Sequence, residues 1–269
     1  MELGGIISLA PWLKTPPGRY LLAWEQAQMD RCVADVFGFH AVQLGLPELD
    51  ALHANRMPHR WLAVDHVAPE MESEGSSEVP SGKPRTAMLR CDFDALPFDS
   101  QSLDLVVLPH ALERARDPHQ VLREVDRVLM PEGRVVVTCF NPMSLWGARQ
   151  GMNRLGATPF LPTDAQQIGF VRIKDWLKLL GFDIIRGRFG CYCPPYRTDR
   201  WLQRAAFMEK AGDRWWPIFG AVYMISAIKR VRNIRLVGPA WKSKPALAPV
   251  SSPVATPTGT HGKTPGEER

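Results

Sequence analysis

The sequence is poor in cysteine, with five in 269 residues: Cys32, Cys91, Cys139, Cys191 and Cys193. An odd number at scattered positions offers no disulfide framework, and the sequence has no CxxC pairs that could hold zinc. A chain of this length with 45% hydrophobic residues can bury a core without disulfides. We therefore expect a protein of a reducing compartment, the cytoplasm, with no bound metal.

Long apolar runs are also absent. The opening stretch, MELGGIISLAPWLK, lacks the basic leader and long apolar segment of a signal peptide. The longest later run, Phe219 to Ile228, is far below the roughly 20 residues that a membrane span needs. We expect no transmembrane segment. The formal net charge of +5 is modest and selects no partner by itself.

Short apolar segments alternate with helical patterns along the chain. Strands are predicted for His40–Gly45, Arg60–Val64, Thr86–Cys91, Leu103–Leu108, Arg134–Phe140, Phe182–Phe189 and Phe219–Ile228. Two of them, Leu103–Leu108 and Arg134–Phe140, are continuous apolar runs typical of buried strands. Helices are predicted from Tyr20 to Phe37, from Pro47 to about Arg56, from Pro118 to Leu129 and from Ile173 to Leu180. The alternation predicts an α/β fold.

The composition divides the chain into parts. Residues 1–38 form a helical extension, and residues 39–238 form the main domain. Residues 191–217 are an insert that could cap a site. Residues 239–269 are too poor in large apolar groups to offset the entropy of ordering, so we expect a disordered tail.

The block from Cys91 to Pro142 combines an acid after the third strand, an LPF turn, an LDLVV strand, a helix opened by Asp-Pro, and a PEG-R-VVV ending. It resembles the central half of class I S-adenosylmethionine (SAM)-dependent methyltransferases, of the type that includes the ubiquinone and menaquinone enzymes. The segments WEQAQMDR and WWPIFGAVYM resemble a bacterial subgroup of that family. The resemblance implies a doubly wound, mostly parallel, seven-stranded sheet with helices on both faces, and SAM as cofactor.

In doubly wound sheets, ligands bind beyond the carboxyl ends of the strands. Asp65 follows the second strand, 20 residues after Gly45, where a carboxylate can accept hydrogen bonds from ribose hydroxyls. The resemblance implies that Asp92 accepts from the adenine amino group and that Phe93 packs near the ring. The expected cofactor-binding residues are Gly45, Asp65, Asp92, Phe93, Leu108 and Pro109.

Two residues are candidates for the chemistry of the acceptor. His110, just past the fourth strand, could act as a base that removes a proton from the acceptor. Asn141, after the fifth strand, could line the substrate pocket.

The loop after the first strand departs from the family pattern. Pro47 and Leu49 stand where the family has its second and third glycines, and Gln43 replaces an acid that would face the amino group of the cofactor. Proline has no N–H to donate, so this loop cannot present the same backbone groups. A SAM-binding loop could be weakened, rebuilt from nearby backbone, or abandoned.

Three functions stay open. The first is SAM-dependent methyl transfer to an unidentified small molecule, and the second is a non-catalytic interaction module that has lost SAM. The third is a nucleic-acid-associated protein that uses the basic run Lys229, Arg230, Arg232, Arg235, Lys242 and Lys244. NAD chemistry is disfavoured because the sequence lacks GxGxxG. Nothing in the sequence indicates an oligomeric state.

Overall fold

A computed structural model describes residues 8–65, 86–152, 159–162, 166–205 and 207–230. The predicted tail at 239–269, the Ser- and Glu-rich loop at 66–85 and the first seven residues lie outside the described residues.

Within the described residues, seven strands form one sheet. They are β1 (His40–Leu44), β2 (His59–Val64), β3 (Thr86–Arg90), β4 (Leu103–Pro109), β5 (Leu129–Phe140), β6 (Phe182–Gly190) and β7 (Val222–Lys229). Their order is β3-β2-β1-β4-β5-β7-β6, and β7 alone runs antiparallel to its neighbours. The predicted seven-stranded, mostly parallel sheet is confirmed.

Eight α-helices accompany the sheet within the described residues. They are α1 (Leu9–Leu13), α2 (Pro16–Val33), α3 (Ala111–Arg114), α4 (Pro118–Val128), α5 (Leu145–Gly151), α6 (Phe170–Leu179), α7 (Asp199–Arg204) and α8 (Phe207–Trp215). The start of α4 is the predicted one, because the Asp117 carboxylate accepts hydrogen bonds from the N–H groups of His119 and Gln120.

The alternating side chains of the strands divide the core into two layers. One layer joins the sheet to α1, α2 and α5 through Trp12, Leu21, Phe140 and Trp146. The other joins it to α4 and α6 through residues such as Val125. Helices therefore cover both faces, and the N-terminal extension is part of the core rather than an appendage.

The predicted helix from Pro47 to Arg56 is wrong. This segment is a series of turns in which N–H groups bond carbonyls three residues back, as from His53 to Asp50. The Gln43 side chain binds the carbonyls of Leu46 and Leu49, so the segment is fixed by a side chain rather than by a helical ladder.

Among the described helices, none is both long and apolar enough to cross a bilayer.

Candidate functional site

The predicted site residues meet at one edge of the sheet. Because β1 to β5 are mutually parallel, their carboxyl ends share that edge. Gly45 follows β1, Asp65 follows β2, Asp92 lies two residues past β3, His110 follows β4, and Asn141 follows β5.

Two carboxylates lie on neighbouring strand ends. Asp92 is exposed and Asp65 is half-buried. Burial raises the pKa of the adjacent Cys91 thiol to about 11, and the negative charges of Asp92 and Asp65 add to that rise. The pKa of Asp94 is also raised, by burial first and then by nearby acids that include Asp117, Asp92 and Asp65. The charges of Asp65 and Asp92 thus both raise the pKa values of Cys91 and Asp94, which places the two carboxylates near the same groups.

Phe93 lies over the end of β1. A Cβ added to Gly45 would come 3.6 Å from the Phe93 ring and 3.9 Å from Ala111. Gly45 has φ +77° and the next residue, Leu46, has φ +48°, so the chain turns sharply here in a conformation that favours glycine. The half-buried ring, one residue after Asp92, therefore forms a wall at the end of β1.

The loop after β1 is closed by Gln43, which is buried. Its Nε2 lies 3.1, 2.9 and 2.7 Å from the carbonyl oxygens of Gly45, Leu46 and Leu49, and its Oε1 accepts from the N–H of Ala51 at 2.9 Å. Leu46 and Leu49 are buried in the apolar core. Every hydrogen-bonding group of Gln43 is thus used within the protein.

His110 is enclosed by two acids. Its Nδ1 lies 2.6 Å from Glu113 Oε2 and its Nε2 lies 3.0 Å from Glu25 Oε1, and all three side chains have no exposed surface. Burial lowers the pKa of His110, but the two carboxylates outweigh burial and raise it to about 10. Burial raises the pKa of Glu113, although His110 and the N–H of Phe140 act in the opposite direction.

This enclosure bears on the role expected of His110. Neither ring nitrogen is left to take a proton from an acceptor, so we do not assign that role to His110. The sequence reasoning missed Glu25 and Glu113. Glu25 lies four residues from Leu21 and from Met29 on the buried face of α2, which is the signal that could have found it.

Asn141 fixes the position of residues 218–220, which precede β7. Its Nδ2 donates to the carbonyls of Ile218 and Gly220 at 2.7 and 2.8 Å, and its Oδ1 accepts from Met143 N. The side chain is buried and committed to these contacts, which leaves it no group for an acceptor.

Leu108 and Pro109 are buried as well, so only their backbone could meet a ligand. Among the described residues, no three His, Cys, Asp or Glu side chains are grouped to hold a metal ion.

The described part of the basic run is paired with acids. Lys229 lies 3.2 Å from Asp126, and Arg230 lies 2.6 Å from Glu132 and 3.5 Å from Asp183. The other members of the run lie outside the described residues.

Residues 47–137 match the family model described as a methyltransferase domain. This part of the chain is thus similar to a methyltransferase domain, and the seven-stranded sheet has the fold of class I methyltransferases. This confirms the resemblance drawn from the Cys91–Pro142 block, and the cofactor that such a domain implies is SAM.

The chain is also similar to an uncharacterized protein, to part of an enzyme and to a solved structure. Uncharacterized protein YafS of Escherichia coli (strain K12) is 28% identical over 225 residues, which cover 84% of this chain and 82% of that protein. Demethylmenaquinone methyltransferase of Clavibacter sepedonicus is 34% identical over 90 residues, which cover 32% of this chain and 37% of that enzyme. The SAM-dependent methyltransferase from Mesorhizobium loti has a TM-score of 0.52 at 18% identity, with 76% of this chain and 97% of that chain covered.

The side chains at the strand ends fit the nucleoside half of SAM better than its amino acid half. Asp65, Asp92 and Phe93 have the chemistry to hold a nucleoside, since carboxylates accept from hydroxyl and amino groups and a ring packs on a base. For the amino acid half, Gln43 stands where the family has an acid, and its amide is already used. The residues present therefore fit the nucleoside.

Proposed function

We propose that this chain is a SAM-dependent methyltransferase whose strand ends hold the nucleoside of the cofactor through Asp65 and Asp92. The observation that carries the proposal is the pair of carboxylates on adjacent parallel strand ends, both of which act on the Cys91 thiol. Asp65 would accept from the ribose hydroxyls and Asp92 from the adenine amino group, with Phe93 against the ring.

Other residues at this edge of the sheet position the reactants and shield them from water. When bound, SAM supplies an electrophilic methyl group, and holding donor and acceptor in line provides much of the rate in such a transfer. Helix α2 contacts the end of β4 through Glu25 and His110, which excludes water from that side. Because His110 is enclosed, we propose a small-molecule acceptor that is already nucleophilic at neutral pH.

The relatives do not identify the acceptor, because the chain spans little more than a third of the demethylmenaquinone enzyme that it matches. We place the protein in the cytoplasm, since its five cysteines are all buried and unpaired, which fits a reducing compartment.

Isothermal titration with SAM and S-adenosylhomocysteine tests the proposal. The natural chain should bind both, and replacing both acids (Asp65→Asn with Asp92→Asn) should weaken binding about a hundredfold, from the loss of two hydrogen-bonded charges. Asp175→Asn is the matched control, because Asp175 is an exposed acid on α6, away from the strand ends. Equal affinity in the double variant and the control would reject the assignment.

A second candidate function is a non-catalytic module that keeps the fold. The closure of the β1 loop by Gln43 favours it, since a side chain of the protein already holds the carbonyls of that loop and Pro47 has no N–H to donate to a ligand. The same titration distinguishes the two functions. If a protein with an intact unfolding transition gives no heat of binding with millimolar SAM or S-adenosylhomocysteine, the result would favour the module over the enzyme.

A further inference from the structure

The segment between β6 and β7 exposes a group of large apolar side chains. Six of them are at least half exposed, and we call them the aromatic patch: Trp201 (50%), Phe207 (70%), Trp215 (71%), Trp216 (54%), Ile218 (60%) and Phe219 (50%). Exposed apolar side chains scattered singly are ordinary. Six within 19 residues favour an interaction surface, which is the role that exposed apolar patches commonly have.

The patch is exposed although the segment that carries it is well packed. A Cβ added to Gly212 of α8 would come 2.2 Å from the Tyr192 ring, so helix and ring are in close contact. Tyr192 donates its hydroxyl to Pro217 O at 2.9 Å, and its N–H donates to Glu209 at 2.9 Å. The segment therefore packs Gly212 and Tyr192 together inside, while the side chains of the patch are held outward.

The patch lies at the same edge of the sheet as the candidate site. The segment leaves the carboxyl end of β6 and enters the amino end of β7, and both ends lie at that edge. Asn141, at the end of β5, bonds the carbonyls of Ile218 and Gly220 and so fixes the position of the patch against the sheet.

Exposed basic side chains lie in the same segment as the patch. From Arg197 to Phe219 there are five: Arg197, Arg200, Arg204, Lys210 and Arg214. The same stretch has three acids, of which Asp199 pairs with Arg19 at 2.8 Å and Glu209 is partly buried against Tyr192. The Arg204 guanidinium lies 5.1 Å from the centre of the Trp201 ring. The outer face is thus both aromatic and positive.

We propose that the aromatic patch binds the surface of an anionic lipid bilayer. Tryptophan and phenylalanine settle at the boundary between headgroups and acyl chains, and arginine and lysine beside them attract anionic headgroups. The adjacent pair of tryptophans and the excess of basic side chains favour a lipid surface over a protein partner. The protein then docks with its candidate site facing the membrane.

Sedimentation with lipid vesicles tests this proposal without any cofactor, so its outcome is independent of the proposed methyl transfer. The natural chain should sediment with vesicles of phosphatidylcholine mixed with phosphatidylglycerol, and much less with phosphatidylcholine alone. Salt should weaken the binding. Replacing Trp215, Trp216 and Phe219 together by serine should reduce the partition coefficient about tenfold or more.

The matched control is Phe37→Ser with Phe39→Ser. Both side chains are exposed (79% and 69%), but they precede β1 and so lie at the opposite edge of the sheet. Unfolding midpoints should stay close to that of the natural chain in both variants, since each replaced residue is at least half exposed. Equal vesicle binding by the patch variant and the control would overturn the proposal. So would a natural chain that self-associates through the patch but does not sediment with vesicles, because the patch would then be a protein contact.

Discussion

At the scale of single residues, Gln43 decides the form of the loop after β1. A buried amide can serve three carbonyls and one N–H only because it has both donor and acceptor atoms. A carboxylate of the same shape has no donor. The acid that the family carries at this position is therefore incompatible with the loop as it is folded here.

Gln43→Glu should lower the free energy of unfolding by about 3 kcal/mol, because it places a buried carboxylate against three carbonyl oxygens. Urea denaturation at neutral pH measures the change. Gln203→Glu, at an exposed position on α7, is the control and should stay within about 0.5 kcal/mol of the natural chain. A Gln43→Glu protein as stable as this control would show that the amide does not hold the loop.

The enclosed His110 predicts a dependence of stability on pH. Its pKa is raised from 6.5 to about 10, so the folded state binds the proton more tightly than the unfolded state. The resulting stabilisation is fully present below pH 6.5 and is lost as pH rises toward about 10.

Glu25→Gln removes one of the two carboxylates that raise this pKa, so the loss of stability should still begin near pH 6.5 but should be smaller and end at a lower pH than in the natural chain. Urea midpoints measured across that range test it. Glu48→Gln, at an exposed position, should reproduce the natural profile. Superimposable profiles for Glu25→Gln and the natural chain would contradict the assignment.

At the scale of elements, α2 is built into the sheet by close contact. A Cβ added to Gly190, at the end of β6, would come 1.9 Å from the Trp24 ring of α2. Trp12 of α1 adds a hydrogen bond to Phe160 O at 2.7 Å. The N-terminal helices thus reach the edge that carries the candidate site.

Gly190→Ala should lower the free energy of unfolding by about 1–3 kcal/mol, because the methyl group displaces Trp24. Gly151→Ala is the control, since a Cβ there would meet nothing within 4 Å. Thermal unfolding of the two variants compares them directly. If Gly190→Ala unfolds at the same temperature as Gly151→Ala, then α2 does not pack as tightly as the structure shows.

The elements differ in how well the sequence predicted them. Apolar runs such as LDLVVL and the Asp117-Pro118 helix start depend on local residues, so β4 and α4 were predictable. The segment from Pro47 to Arg56 was not, because its form depends on Gln43 and on burial of Leu49 against other elements. The contact between Glu25 and His110 joins residues 85 positions apart, which no local pattern encodes.

At the scale of the whole molecule, the parallel order of the strands explains why the aspartates were predictable. Once strands alternate with crossovers, the ends of β2 and β3 must lie side by side, and any acid that follows each strand meets the other. The enclosure of His110 and the commitment of Asn141 were not predictable, since they depend on side chains from α2 and from the segment before β7. The order of the strands brings the candidate residues to one edge of the sheet, and packing determines which of them are enclosed by the protein.

A crystal structure of the protein grown with S-adenosylhomocysteine tests the central claim most directly. We expect the nucleoside at the ends of β1 to β3, with the ribose hydroxyls hydrogen-bonded to Asp65 and the adenine between Asp92 and Phe93. A ligand bound elsewhere, or a space between the two aspartates that stays filled by the Phe93 ring, would contradict the account.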